Sequence, residues 1–179
     1  VFHGGADFVS PDTLSMEEAD ALKAFSQKFL YSEPQQSLAA SQWLIKYCGQ
    51  KEGCAIEGHI SAGLIYRDWG QYDRALDHFY LAQEKGEQYG FGSKSKYWAL
   101  LNIAAVLDMH GQHEDFYDII EEVIEYAEKD QDDWALAYAL KDLGINYQEN
   151  KQLEEAESYL KRSIPIMKKL DDQRGLGVC

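Results

Sequence analysis

The sequence predicts an all-α fold, a right-handed α-solenoid built from antiparallel helical hairpins. Three observations carry that expectation: a motif that recurs at a near-constant period, apolar residues at helical spacing within each copy, and turn residues at the same place in every copy. The copies are residues 63–75, 104–116 and 144–156, whose starts are 41 and then 40 residues apart. They share small, apolar and turn positions at identical internal spacing.

Residues 1–14, with Gly4, Gly5 and Pro11 and no periodicity, read as an irregular N-terminal arm. Ser15 and Glu18 form a capping-box pattern opening a helix to about residue 31, and Pro34 opens another to residue 47. Residues 15–52 therefore read as a degenerate first hairpin. Three regular hairpins follow, at 53–92, 93–132 and 133–171, each broken in the middle by Gly70-Gln71, Gly111-Gln112 or Asn150-Lys151. Gly63 and Gly144 fall inside helices, where glycine costs about 1 kcal/mol relative to alanine, so a close approach of the paired helix is expected there. Ala75 and Ala156 supply the other small residues of that contact, with Phe79 and Leu160 one turn on. Residues 172–179 read as the start of a further repeat, because Asp172 stands 40 residues after Asp132 in the same phase. A solenoid end needs a polar cap and residues 176–179 do not supply one, so the chain is expected to be part of a larger protein.

The residues Gly63, Tyr66, Gly70, Tyr72, Ala75, Phe79 and Ala82 fall where the tetratricopeptide repeat places its signature, and the chain resembles that family over its three regular hairpins. The second copy departs with Ala104, Leu107 and Phe116, and the third with Lys151, Leu153 and Ser163. The family period is about 34 residues, so this one adds roughly one and a half to two helical turns per hairpin. That length is similar to the long-repeat subclass found in regulators and scaffolds. The resemblance implies a superhelix with a concave groove that binds extended or helical peptides. It also supplies a test for one partner class: co-chaperone members grip an acidic tail with lysine, arginine and asparagine side chains. Here only Asn102 matches, while Ile60, Leu64, Tyr138 and Asp142 fill the other clamp positions, which disfavours a chaperone-tail adaptor.

Composition narrows the partners further. The 179 residues are 45% apolar and 13% aromatic, enough to fold. Thirty-one acidic residues against 17 basic ones give a formal charge of -14, which repels phosphate backbones and anionic lipid headgroups. Neither nucleic acid nor membrane is an expected partner of this segment. The longest apolar stretches, such as residues 60–66, are far short of the roughly 20 residues that a membrane helix needs. Oligomeric state is left open. Three cysteines are too few for a disulfide scaffold; a reduced cytoplasmic setting is the default, and an extracytoplasmic sensor domain is the alternative. Cys48 and Cys54 stand in an interhelix loop as two buried thiols, or as a pair in an oxidising compartment.

By register, the inward stripe holds Ile60, Ser61, Leu64 and Arg67, then Trp98, Leu101, Asn102 and Ala105, then Tyr138, Lys141, Asp142 and Ile145. The partner-binding candidates are Arg67, Trp98, Leu101, Asn102, Tyr138, Lys141 and Asp142, an aromatic ledge with polar groups able to fix a peptide backbone. The competing reading packs Trp98 and Tyr138 between repeats. No catalytic, cofactor or metal constellation stands out. His110 and His113 read as a solvated turn, His59 aligns with Leu100 and Leu140 as a core position, and Asp118, Glu121, Glu122, Glu125 and Glu128 read as a solvated helix face. The functional expectation is a protein- or peptide-binding module, the sensory or scaffolding part of a larger signalling or transcription regulator, and not an enzyme. The alternative is a metal-binding or enzymatic helical protein using the scattered His and Glu residues.

Overall fold

Eight helices make up the described residues of the computed structural model, 14–48, 53–89, 93–172 and 175. Most of the expected N-terminal arm and of 172–179 lies outside them. The helices are α1 (Met16–Phe29), α2 (Pro34–Tyr47), α3 (Cys54–Asp68), α4 (Tyr72–Tyr89), α5 (Ser93–Met109), α6 (His113–Asp130), α7 (Asp133–Glu149) and α8 (Leu153–Lys169). No strand occurs among the described residues, and none of their helices is long and apolar enough to cross a membrane.

Local chemistry explains where the helices start and stop. The capping box of α1 is formed: the Glu18 N–H donates to Ser15 Oγ at 3.2 Å and the Ser15 N–H to Glu18 Oε2 at 2.9 Å. Pro34 occupies the first turn of α2, where its missing N–H costs nothing. Asp132 caps α7 by accepting from the Ala135 N–H at 3.0 Å. Forty residues on, Asp172 accepts from the Gly175 N–H at 3.0 Å, the same cap repeated.

The turns inside the three regular hairpins repeat in backbone conformation as well. Gly70, Gly111 and Lys151 all adopt left-handed φ, at 70°, 82° and 63°. In each turn the next residue's N–H returns to the carbonyl five back: Gln71 to Tyr66, Gln112 to Leu107 and Gln152 to Tyr147, at 2.8 to 2.9 Å. Lys151 shows that the conformation is imposed by the hairpin, since a residue with a Cβ is held where glycine is favoured.

Each helix packs against its neighbours in sequence, and the odd-numbered helices α1, α3, α5 and α7 also touch successively. Residues nested about the Gly70 turn, Tyr66 with Arg74 and Gly63 with Phe79, run α3 and α4 antiparallel. A Cβ on Gly63 would lie 2.5 Å from the Phe79 ring, and one on Gly144 would lie 2.8 Å from Leu160 Cγ. The in-helix glycines thus seat the side chains expected of them. In α5 and α6 the corresponding positions hold Ala104 and Ile120, both fully buried in one cluster. A third close approach, not foreseen from the sequence, sets Gly58 against the Ser41 carbonyl of α2.

The first hairpin is bound differently. Ser26, Ser37 and Ser41 are fully buried between α1 and α2 and hydrogen-bond one another, with Ser26 Oγ 2.9 Å from Ser41 Oγ and 3.2 Å from Ser37 Oγ. A disulfide joins Cys48 at the end of α2 to Cys54 at the start of α3, with their Cα atoms 6.1 Å apart. Of the two sequence readings, the paired one is realised, and the bridge lies in a cluster with Leu14, Ala19 and Leu44.

Two outcomes follow from this packing. Gly144→Leu should destabilise the protein by about 1–3 kcal/mol, the usual cost of overpacking a filled contact, seen as a lower urea midpoint; an unchanged midpoint would remove the glycine seat as a constraint. Replacing Cys48 and Cys54 together by alanine should cost about 2 kcal/mol, as expected for a short closed loop. Reductant should then shift the urea midpoint of the wild type and leave the double variant unmoved.

Candidate partner-binding surface

Two helical positions one turn apart build the centre of the surface. Trp134 and Tyr138 on α7 lie on the same face, with ring centroids 4.7 Å apart. Trp134 also meets Trp98 of α5 at 5.9 Å. The three rings therefore form one aromatic row across two helices, with Trp134 as the link between the expected pair. Trp134 was missed as a site residue, although its spacing of four from Tyr138 signals a shared face.

Each ring is partly buried, with one part packed between helices and the rest exposed. Trp98 packs on a cluster of Ile56, Ile60, Ala82 and Ala99, and Trp134 and Tyr138 pack on the α5–α7 core. The Tyr138 hydroxyl donates to Asp172 Oδ2 at 2.7 Å, which fixes the ring's outer edge. An analogous bond ties α5 to the end of α6, where the Tyr97 hydroxyl donates to Asp130 Oδ2 at 2.8 Å. Burial first, and then the Asp130 carboxylate, push the Tyr97 phenol up from its ordinary value.

Charged groups border the row. Lys141 Nζ stands 4.6 Å from the Tyr138 ring centre and 2.9 Å from Asp142 Oδ1, and its side chain is only 13% exposed. Burial raises the Asp142 carboxyl above its ordinary range, while the Lys141 ammonium and then the Arg67 guanidinium pull it back. Arg67 itself donates from Nε and Nη2 to Asp68 Oδ1 at 3.1 and 3.0 Å.

Two of the partner-binding candidates are buried and not available to a ligand. Leu101 is 5% exposed and belongs to the core between α5, α6 and α7. Asn102 is 8% exposed and its Nδ2 donates to the Trp98 carbonyl at 2.8 Å, so it steadies the Trp98 turn. Both lie deeper than expected because α5 packs against α3, α4, α6 and α7. Ile60 and Ser61 are buried for the same reason, whereas Leu64, Ala105 and Ile145 are partly exposed.

The remaining sequence candidates are placed as follows. His110 and His113 are exposed and bond to Gln112 and Asp108 respectively. Among the described residues no three His, Cys, Asp or Glu side chains converge as a metal site. Asp118, Glu121, Glu122, Glu125 and Glu128 are all exposed on α6. Two open hollows, of about 430 Å³ beside Leu136 and Lys169 and about 320 Å³ beside Tyr72 and His110, include no residue of the aromatic row.

A scan of the chain against protein-family models found no match, and a search of curated proteins found none either.

Tyr138→Phe removes one hydrogen bond to a carboxylate and keeps the ring. It should cost about 1.5 kcal/mol in urea unfolding while the tryptophan fluorescence of the native state stays the same. A changed native spectrum would mean that the hydroxyl positions the whole row.

Proposed function

We propose that this chain is a protein- or peptide-binding module of the tetratricopeptide type, with α3, α5 and α7 lining the inner face of a right-handed superhelix. The observation that carries the reading is the aromatic row Trp98–Trp134–Tyr138 beside Lys141, on the face shared by the odd-numbered helices. The successive contacts among α1, α3, α5 and α7, and turns whose conformation recurs every 40 to 41 residues, support the repeat architecture. Large aromatic side chains held by packing lose little entropy on binding and contribute most of the energy at such surfaces. Arg67, Lys141 and Asp142 flank the row and set which side chains of a bound peptide are accepted. In this reading the module serves the sensory or scaffolding part of a larger signalling or transcription regulator and performs no chemistry itself.

The test is affinity capture from the native source with wild-type protein and with Trp98→Ala, both checked by circular dichroism. Loss of the side chain should weaken capture of a specific partner by at least about 2 kcal/mol, the range of an interface hot spot. A folded variant that retains every partner at wild-type strength would sink the inner-face assignment.

A further inference from the structure

His59 and His78 meet between α3 and α4, with Nδ1 3.0 Å from Nδ1 and ring centroids 5.2 Å apart. His59 is 4% exposed and His78 is partly buried, its ring stacked on Tyr66 at 5.3 Å. Two nitrogens at that distance form a hydrogen bond only if one carries a proton and the other a lone pair. The repeat shows that packing does not require histidine here. One period on, the same two positions hold Leu100 and Ile119, and a further period on they hold Leu140 and Tyr159. The α3–α4 hairpin alone has a titratable pair where its sisters are apolar or aromatic.

We propose that His59 and His78 form a proton-sensitive latch between α3 and α4, closed near neutral pH by the one proton shared between their Nδ1 atoms and weakened in mild acid. A first extra proton is taken by the more exposed His78 at Nε2, with the shared bond intact. A second, on the remaining Nδ1 lone pair of His59, leaves two N–H groups facing each other and two cations in contact. The bond is then lost and the hairpin is pushed apart.

The surroundings favour that outcome. From α4, Arg74 and Lys85 add positive charge: Arg74 sits 4.0 Å above the Tyr66 ring that stacks on His78, and Lys85 acts on His59. Asp77 is the acidic group acting on His78, opposing Arg74. From α2, the residues against α3 at neighbouring Gly58 are Ser41, Leu44 and Ile45; α5 brings Ala99, Ile103, Val106 and Leu107. Leu14, which precedes α1, and Ala19 and Leu22 of α1 cluster at the start of α3. None of these contacts from α1, α2 or α5 supplies a counter-charge. Burial, then His78, then Lys85 hold the His59 imidazole down at about 4, and burial, then Arg74, lower His78 as well. The sign is set by those lowered values: the opened state binds the protons more readily, so stability present above the ordinary histidine value of 6.5 is lost as pH falls below it. The latch does not depend on which partner, if any, the inner face binds.

The test compares wild type with a double variant carrying the residues of the next hairpin, His59→Leu and His78→Ile. Between pH 7.5 and 5.5, linkage at His59 alone should lower the wild-type folding equilibrium constant about tenfold, and the double variant should lack that component. Hydrogen exchange, corrected for intrinsic rates, should show α3 and α4 losing protection on acidification in wild type only. Equal pH slopes in the two proteins would overturn the latch. Imidazole NMR titration of the wild type decides independently of the variant's folding: a His59 midpoint below the ordinary histidine value supports the proposal, and one at or above it defeats it.

Discussion

A side chain from one helix resting on a glycine or alanine of the next is the contact on which the rest of this structure depends. Phe79 over Gly63 and Leu160 over Gly144 leave no room for a Cβ, and the corresponding Ala104 and Ile120 are both fully buried in one cluster. Interiors pack at crystal-like density, so helix separation is set by the volume of these pairs. Once the separation is set, the turns must close over a short distance. That requirement explains why Lys151 adopts the left-handed conformation that Gly70 and Gly111 adopt more easily.

The same geometry determines which faces remain for function. Helices α3, α5 and α7 are each flanked by even-numbered helices and by each other, and their middle turns are almost wholly buried. What they leave accessible is a narrow strip, and aromatic rings occupy it between α5 and α7. The even-numbered α6 instead presents its carboxylates to solvent, where they cost little and keep the surface strongly acidic. The accessible aromatic rings and the row of carboxylates thus lie on different sets of helices.

Polar groups inside the molecule are concentrated in its first half. The serine cluster joins α1 to α2, the disulfide joins α2 to α3, and the histidine pair joins α3 to α4. In the hairpins from α5 to α8, core contacts are mainly apolar, joined by the buried Asn146, which accepts from the Tyr117 hydroxyl at 2.6 Å, and by Ser163, whose hydroxyl donates to the Ala137 carbonyl at 2.8 Å. Buried hydrogen bonds are directional, and a histidine pair can respond to protons and a disulfide to redox state, whereas apolar contacts respond to neither. The chain thus carries its condition-sensitive links at one end and its most regular packing at the other.

By itself the sequence determined the helical content, the repeat period, the capped start of α1, the turn positions and the glycine contacts. Each is a local or periodic property, written in residues a few positions apart or one repeat apart. It also located Trp98, Tyr138, Lys141 and Asp142 near an accessible strip. Only the tertiary structure decided that Leu101 and Asn102 are buried, that Trp134 joins the two expected rings, and that His59 faces His78. Helical periodicity gives the direction of a side chain about its own axis, but depth depends on how many other helices surround that axis. The identity of a contact depends on which rotamers two separate helices bring together. Neither quantity is present in the spacing of residues along one chain.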